Sequence, residues 1–342
     1  MKTQARAVVI GGGAIGVSVA YHLAKYGWKD VVLLEKHELT SGSTWMAAGN
    51  CSFFHGNYYC TQVNMKSIDI YQRLEAETGQ STGWHTTGSI RTADNPGRMD
   101  ELGYIYSMNR CLGLDVSWVT PQEIKAMHPL MNVDGIIAGL YWPDDGDVDP
   151  SGITMAMSIG ARKQGAELYT HTQVTGIERT AAGEWRVLTD KGDITCEVVV
   201  NAAGLWAPQV AGMVGLEIPS IAGEHTHILF EAIDAVVDRD TYLPLVRDPD
   251  RSIYIRQEMD SLILGLYEGK VKQWHPRGVP WDYAQTELQP DIDHIAEFIE
   301  HGIHRFPIMG DTGFKHVTDG PITYTPNGDP LVGPAYPLKN FF

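Results

Sequence analysis

An α/β fold is predicted from three observations. An apolar strand, a glycine-rich turn, a helical stretch and a second buried strand follow one another over residues 6–36. Another buried strand, within VVVNAAG at 198–204, opens onto small residues late in the chain. Elsewhere short strands mix with helices of ordinary length, the pattern of a mixed sheet beside a parallel one. At 342 residues the chain exceeds the roughly 100–200 residues of one ordinary domain, so two interleaved domains are expected.

The first unit is the most informative. Arg6 to Ile10 reads as a strand, Gly11-Gly12-Gly13-Ala14-Ile15-Gly16 as GxGxxG, Val17 to Tyr26 as a helix and VVLLE as a second strand. This is a βαβ unit of the Rossmann type. Gly11 permits the tight turn, Gly13 lets a pyrophosphate approach the backbone at a helix N-terminus, and Gly16 allows close helix–strand packing. Glu35 ends the second strand where an acid accepts hydrogen bonds from the adenosine ribose. An acid there disfavours a 2′-phosphate and with it NADP, leaving FAD or NAD.

The remaining elements follow in order. Gln62 to Thr78 is helical and ends at Gly79, a C-cap. GSIRTA reads as a strand, Arg98 to Leu112 and Pro121 to Met127 as helices. DDGDVDPSG invites a calcium reading but lacks the EF-hand spacing, and a helix from Ser151 to Gly165 with Asp149 as N-cap and Pro150 at N1 accounts for it better. AELYTHTQVTGIERT is strand-like, and EWRVLT pairs with ITCEVVV as a hairpin around 190–193. Residues 216–320 supply the strands THILFE, SIYIRQ and SLILGLY and a helix near 284–302.

Composition removes several function classes. The chain is 43% hydrophobic and 20% charged, with no apolar run of the ~18–20 residues needed to span a bilayer, so no membrane span is expected. A net charge of −16 without a Lys/Arg cluster argues against nucleic acid. Cys51, Cys60, Cys111 and Cys196 form no CxxC, which suits reduced thiols. Among 13 histidines there is no HExxH, and His301 and His304 fit a solvated helix face, so no metal is expected.

Taken together, GGGAIG with Glu35, TSGSTWMAAGN at 40–50, VVNAAGLWAP and GPITYTPNGDPLVGP resemble the glycine/D-amino-acid-oxidase-like flavoproteins. STW-x-AAG, ETGQ near GSIR, DGDVDP and DGPITY are similar to the dimethylglycine and sarcosine dehydrogenase branch, and the likeness runs the length of the chain. The resemblance implies an FAD-binding domain of Rossmann type (1–80, 150–215 and 320–342) interleaved with a mixed-sheet substrate domain (81–149 and 216–319). The FAD site it implies is Gly11, Gly13, Ala14, Ile15, Gly16, Glu35 and Lys36, the loop residues Ser43, Thr44, Met46, Ala47, Ala48, Gly49 and Asn50, and Val174, Ala203, Gly204 and Trp206. Covalent members of the branch carry a His where this chain has Met46, so non-covalent FAD is expected. The sequence ends on Asn340-Phe341-Phe342 where the family continues, often into a tetrahydrofolate-binding module, and a longer parent protein is expected.

The implied activity is oxidative demethylation of a small N-methylated amino acid, with electron-transfer flavoprotein or oxygen as acceptor. His225, in GEHTHILF, stands where the family places an active-site His, and an imidazole can take the amine proton near neutral pH. His227 shares its face, with a structural role open. Tyr254, in SIYIRQ, matches a family tyrosine that sits across the flavin. Arg256, on the same face, suits either the substrate carboxylate or a surface ion pair. Two other functions stay open: a non-catalytic regulator like the pyruvate dehydrogenase phosphatase regulatory subunit, and an NAD-dependent dehydrogenase. The N-terminal residues MKTQARAVVIGGG carry no presequence, so a cytoplasmic location is expected, with the mitochondrial matrix as the alternative if a presequence is missing.

Overall fold

The computed structural model describes residues 1–342. Its first sheet has six strands in the order 174–179, 185–189, 194–201, 4–10, 31–34, 167–169. The last four run parallel, with Val8 opposite Val199 on one side and Val32 on the other. The central two are buried over Ala7–Ile10 and Val31–Leu34, a near-continuous Val, Ile and Leu run as the inner strands of a parallel sheet must be. The helices Ala14–Lys25 and Pro150–Lys163 pack together on one face. Their crossing is tight because a Cβ at Gly160 would lie 2.6 Å from the Tyr21 ring.

The second sheet has eight strands, in the order 314–324, 221–230, 261–266, 253–258, 245–248, 89–93, 138–142, 117–119. Val246, Ile253, Ile255, Leu262, Leu264 and Ile228 turn one face into a core closed by Ile295 of the helix Ile292–Arg305. By the two-residue period, Arg247, Tyr254, Arg256, Gly265 and His227 therefore occupy the opposite face. A buried ion pair, Arg305 Nε to Asp248 Oδ2 at 2.7 Å, ties that helix to the sheet. A small third sheet joins Asn50–Cys51 and His85–Thr86 to Gly146–Asp147.

Most elements stand where the sequence placed them. Asp149 does cap its helix, accepting from Ser151 N at 2.9 Å, and Gly79 ends the helix Tyr58–Thr78 at φ 79°. Two elements differ. The helix expected from 284 begins only at Ile292, since Gln285 has φ 41° and the carboxylate of Asp291, just after Pro290, caps the first turn by accepting from His294 N. The stretch 166–180 splits into two strands at His171, whose φ is 51°, as His171 and Thr172 donate back to the His37 and Glu35 carbonyls. No helix is long and apolar enough to cross a membrane.

Candidate active site

A cavity of about 790 Å³ opens at the carboxyl ends of the parallel strands, where ligands of such sheets bind. Its floor is the turn Gly11–Ile15, entered directly from the buried strand Gln4–Ile10. Gly11 has φ +115°, and a Cβ there would meet the Ala202 carbonyl at 2.3 Å. Gly16 lies beneath the floor, where a Cβ would strike the Gly11 oxygen at 1.9 Å; the protein itself demands these two glycines. Gly13 is different, for its Cβ would meet nothing closer than Thr44 Oγ1 at 3.1 Å. The missing side chain at 13 is not required by packing within the protein and leaves the cavity floor open there.

The walls suit an extended dinucleotide. Glu35 lines the cavity and is held by the N–H groups of Gly12 and His37, at 2.6 and 2.8 Å, leaving its remaining lone pairs for ribose hydroxyls. The helix starting at Ala14 has no acidic residue in its first turn, and Ala14 N donates to Thr44 Oγ1 at 3.1 Å. Ile15 stands 72% exposed at the rim, apolar surface that a bound group would cover. Ser43, Val174, Ala203, Gly204 and Trp206 also line the space. Lys36 reaches across it: its Nζ lies 3.7 Å over the Trp206 ring and donates to the carbonyls of Trp281 and Tyr283. Burial lowers this ammonium to about 8.

Met46 and its successors lie outside this cavity. Met46 is buried against Gly320, where a Cβ would come within 1.9 Å of its sulfur. Ala47 and Ala48 lead on to Gly49, at φ +74°, which packs on the Val148 carbonyl, and Asn50 pairs with Asp147. Ser43 instead ties the loop to the second sheet, donating to the Pro321 carbonyl at 2.7 Å. The loop thus bridges the cavity and the sheet that carries the candidate catalytic residues.

On that sheet Gly320 is the register partner of His225. His225 Nδ1 lies 2.8 Å from Glu268 Oε2, and the second oxygen of Glu268 accepts Thr226 N at 3.0 Å. His227 lies against the Tyr254 row through Gly265, and burial, reinforced by His225 and Arg256, lowers it to about 4, so it is neutral. The Tyr254 ring lies across Gly265, where a Cβ would meet its Cζ at 1.8 Å, and packs 5.4 Å from the Tyr267 ring. Burial raises its phenol well above the ordinary range. Arg256 is buried, donating to the Gln257 carbonyl and the Glu258 carboxylate, with Asp147 at 3.8 Å.

Glu268, Gly265 and Gly320 were not singled out in the sequence. Glu268 carries a signal, a lone acid closing the apolar strand SLILGLYE, whereas the glycines show their purpose only in register with Tyr254 and His225. The acids of DDGDVDP are structural: Asp145 accepts from Ser52, Ser89 and Phe53 N, and Asp147 pairs with His85 at 3.0 Å. His55, Cys60 and Asp329 bring three potential metal-ligating atoms within 4.8 Å. His55 Nδ1 accepts the Asn57 N–H, however, which places the neutral ring's proton on Nε2, facing Asp329, where a metal would need a lone pair.

Residues 6–342 match the family described as FAD dependent oxidoreductase. All of this chain aligns with the human mitochondrial dimethylglycine dehydrogenase at 42% identity, covering 40% of that protein. It aligns likewise with the mouse mitochondrial sarcosine dehydrogenase at 35% and 37% coverage, and with the mouse pyruvate dehydrogenase phosphatase regulatory subunit at 32% and 39% coverage. The chain therefore spans about 40% of the length of these curated relatives. Among solved structures, the L-proline dehydrogenase of P. horikoshii superposes with a TM-score of 0.88 at 26% identity, covering 100% of this chain and 87% of that one.

Proposed function

The chain belongs to the FAD dependent oxidoreductase family, and on that premise we propose that its whole protein oxidatively demethylates a small N-methylated amino acid such as dimethylglycine or sarcosine. The cavity residues fit FAD: Gly13 and the helix N-terminus would take the pyrophosphate, and Glu35 the ribose. With Met46 in place of a tethering His, the cofactor is bound reversibly. Bound FAD would accept a hydride from the N-methyl carbon.

The protein's own part is proton handling and orientation. His225, its Nδ1–H donating to Glu268, keeps the Nε2 lone pair for the proton of the substrate ammonium. The freed nitrogen lone pair forms the C=N bond as the hydride leaves, and water then releases formaldehyde and the demethylated amine. Tyr254, fixed across Gly265, shapes the adjoining face. Electron-transfer flavoprotein or oxygen as electron acceptor, and tetrahydrofolate as acceptor of the one-carbon unit in the remainder of the protein, complete the proposal. The mitochondrial names of the relatives support the matrix as the alternative to a cytoplasmic location.

The observation that carries this reading is the His225–Glu268 pair, set in register with the glycine that seats Met46 of the cavity loop. Incubating the full-length, FAD-loaded protein with dimethylglycine or sarcosine should yield one formaldehyde per methyl group lost. Flavin binding without formaldehyde from any N-methylated amino acid would instead favour the regulatory reading suggested by the phosphatase-subunit relative.

A further inference from the structure

Three arginines share the Tyr254 face of the eight-stranded sheet, and two are already neutralised. Arg256 is taken by Glu258 and Asp147. Arg91 reaches Glu101 at 3.1 Å and lies 4.0 Å over the Phe54 ring. Arg247, half-buried between them, has no carboxylate within 4.0 Å and makes no side-chain hydrogen bond. Its strand places it opposite Tyr254 on one side and Arg91 on the other, so the row runs Arg91, Arg247, Tyr254, Gly265, His227. Arg247 and Tyr254 are directly opposed in an antiparallel pair, which brings their Cβ atoms to about 4.5–5.5 Å.

Glu101 already meets the charge of Arg91, whereas Arg247, beside it on a partly desolvated face, has no counter-charge, and an anion seated there would supply one. Arg91 and Arg256 each keep a buried Nε with no partner, although carboxylates hold their terminal nitrogens; Arg247 alone of the three has no carboxylate on its guanidinium. We propose that Arg247, rather than Arg256, receives the carboxylate of the amino-acid substrate, and so makes the site selective for N-methylated amines that carry one. A guanidinium fork matches a carboxylate with two parallel hydrogen bonds, which Lys cannot reproduce. Tyr254 lies next in the row and His227 beyond it, so a carboxylate on Arg247 directs the amine along the sheet toward the His225 end. This inference rests on the demethylation reading above.

The test uses the full-length, FAD-loaded protein and compares kcat/KM for dimethylglycine with that for dimethylamine, which lacks the carboxylate. Arg247→Met should lower that ratio by roughly 10²–10³-fold, mainly through KM. It should weaken by a similar factor the binding of methoxyacetate, followed by the shift it causes in the visible flavin band. Arg247→Lys, which keeps the charge, should lower the ratio less than Arg247→Met, and it decides the matter if Arg247→Met does not fold. A ratio and a methoxyacetate affinity unchanged in these variants, with wild type active on dimethylglycine, would overturn the assignment. Wild-type flavin that no N-methylated amino acid reduces would overturn the demethylation reading first, and the assignment with it.

Discussion

His225 Nδ1 and Glu268 Oε2 are 2.8 Å apart, and Glu268 is itself oriented by the Thr226 N–H. Such a pair fixes both the tautomer and the direction of the imidazole. We expect His225→Ala in the full-length protein to slow flavin reduction by roughly 10²–10⁴-fold, measured anaerobically at saturating substrate. Glu268→Gln, which keeps the shape and removes the charge, should give a smaller loss. Wild-type rates in His225→Ala from pH 6 to 9 would reduce the pair to a structural contact.

The glycine turn separates folding from cofactor binding. Gly13→Ala adds a Cβ that only Thr44 Oγ1 approaches, at 3.1 Å, so the variant should fold and yet purify with little flavin. Gly16→Ala drives its Cβ to 1.9 Å from the Gly11 oxygen and should lower the melting temperature outright. Full flavin occupancy in a folded Gly13→Ala protein would take that residue out of the pyrophosphate site.

How much of this the sequence discloses depends on distance along the chain. Gly11, Gly13, Gly16 and Glu35 lie within one βαβ unit, so their spacing alone places them around the cavity. Asp149 and Gly79 were legible for the same reason, because caps act within a turn. Glu268 is 43 residues from His225, and Met46 packs on Gly320 from a turn on a distant part of the chain; no local pattern encodes either. Arg256 illustrates the ambiguity of a charge read without its surroundings, since Glu258 and Asp147 absorb it.

The proposal of reversible binding rests on Met46, which stands where the resembling branch carries a His. Acid denaturation of the full-length protein should release all of its FAD, leaving no fluorescent band on a denaturing gel. Met46→His should attach some flavin covalently if the ring methyl lies beside this position. Fluorescence that stays with the wild-type polypeptide would contradict reversible binding.

Two buried groups bend the pH dependence of stability in opposite directions. His227 falls from 6.5 to about 4 on folding, so the unfolded chain binds the extra proton and stability is lost as pH drops from 6.5 to 4. Asp319 is raised, chiefly by burial and then by Glu224, from 3.8 to about 6. The folded state holds that proton, and stability is lost as pH rises from about 4 to 6. Relative to wild type, His227→Gln should gain stability toward pH 4, and Asp319→Asn toward pH 6. Urea midpoints across this range check both signs.

An anaerobic titration of the purified full-length protein tests the central claim most directly. With FAD bound, additions of dimethylglycine or sarcosine should bleach the visible flavin band completely, and admitting the electron acceptor should restore it. A band that persists unchanged in excess of every N-methylated amino acid tried, in protein that demonstrably holds FAD, would contradict the account.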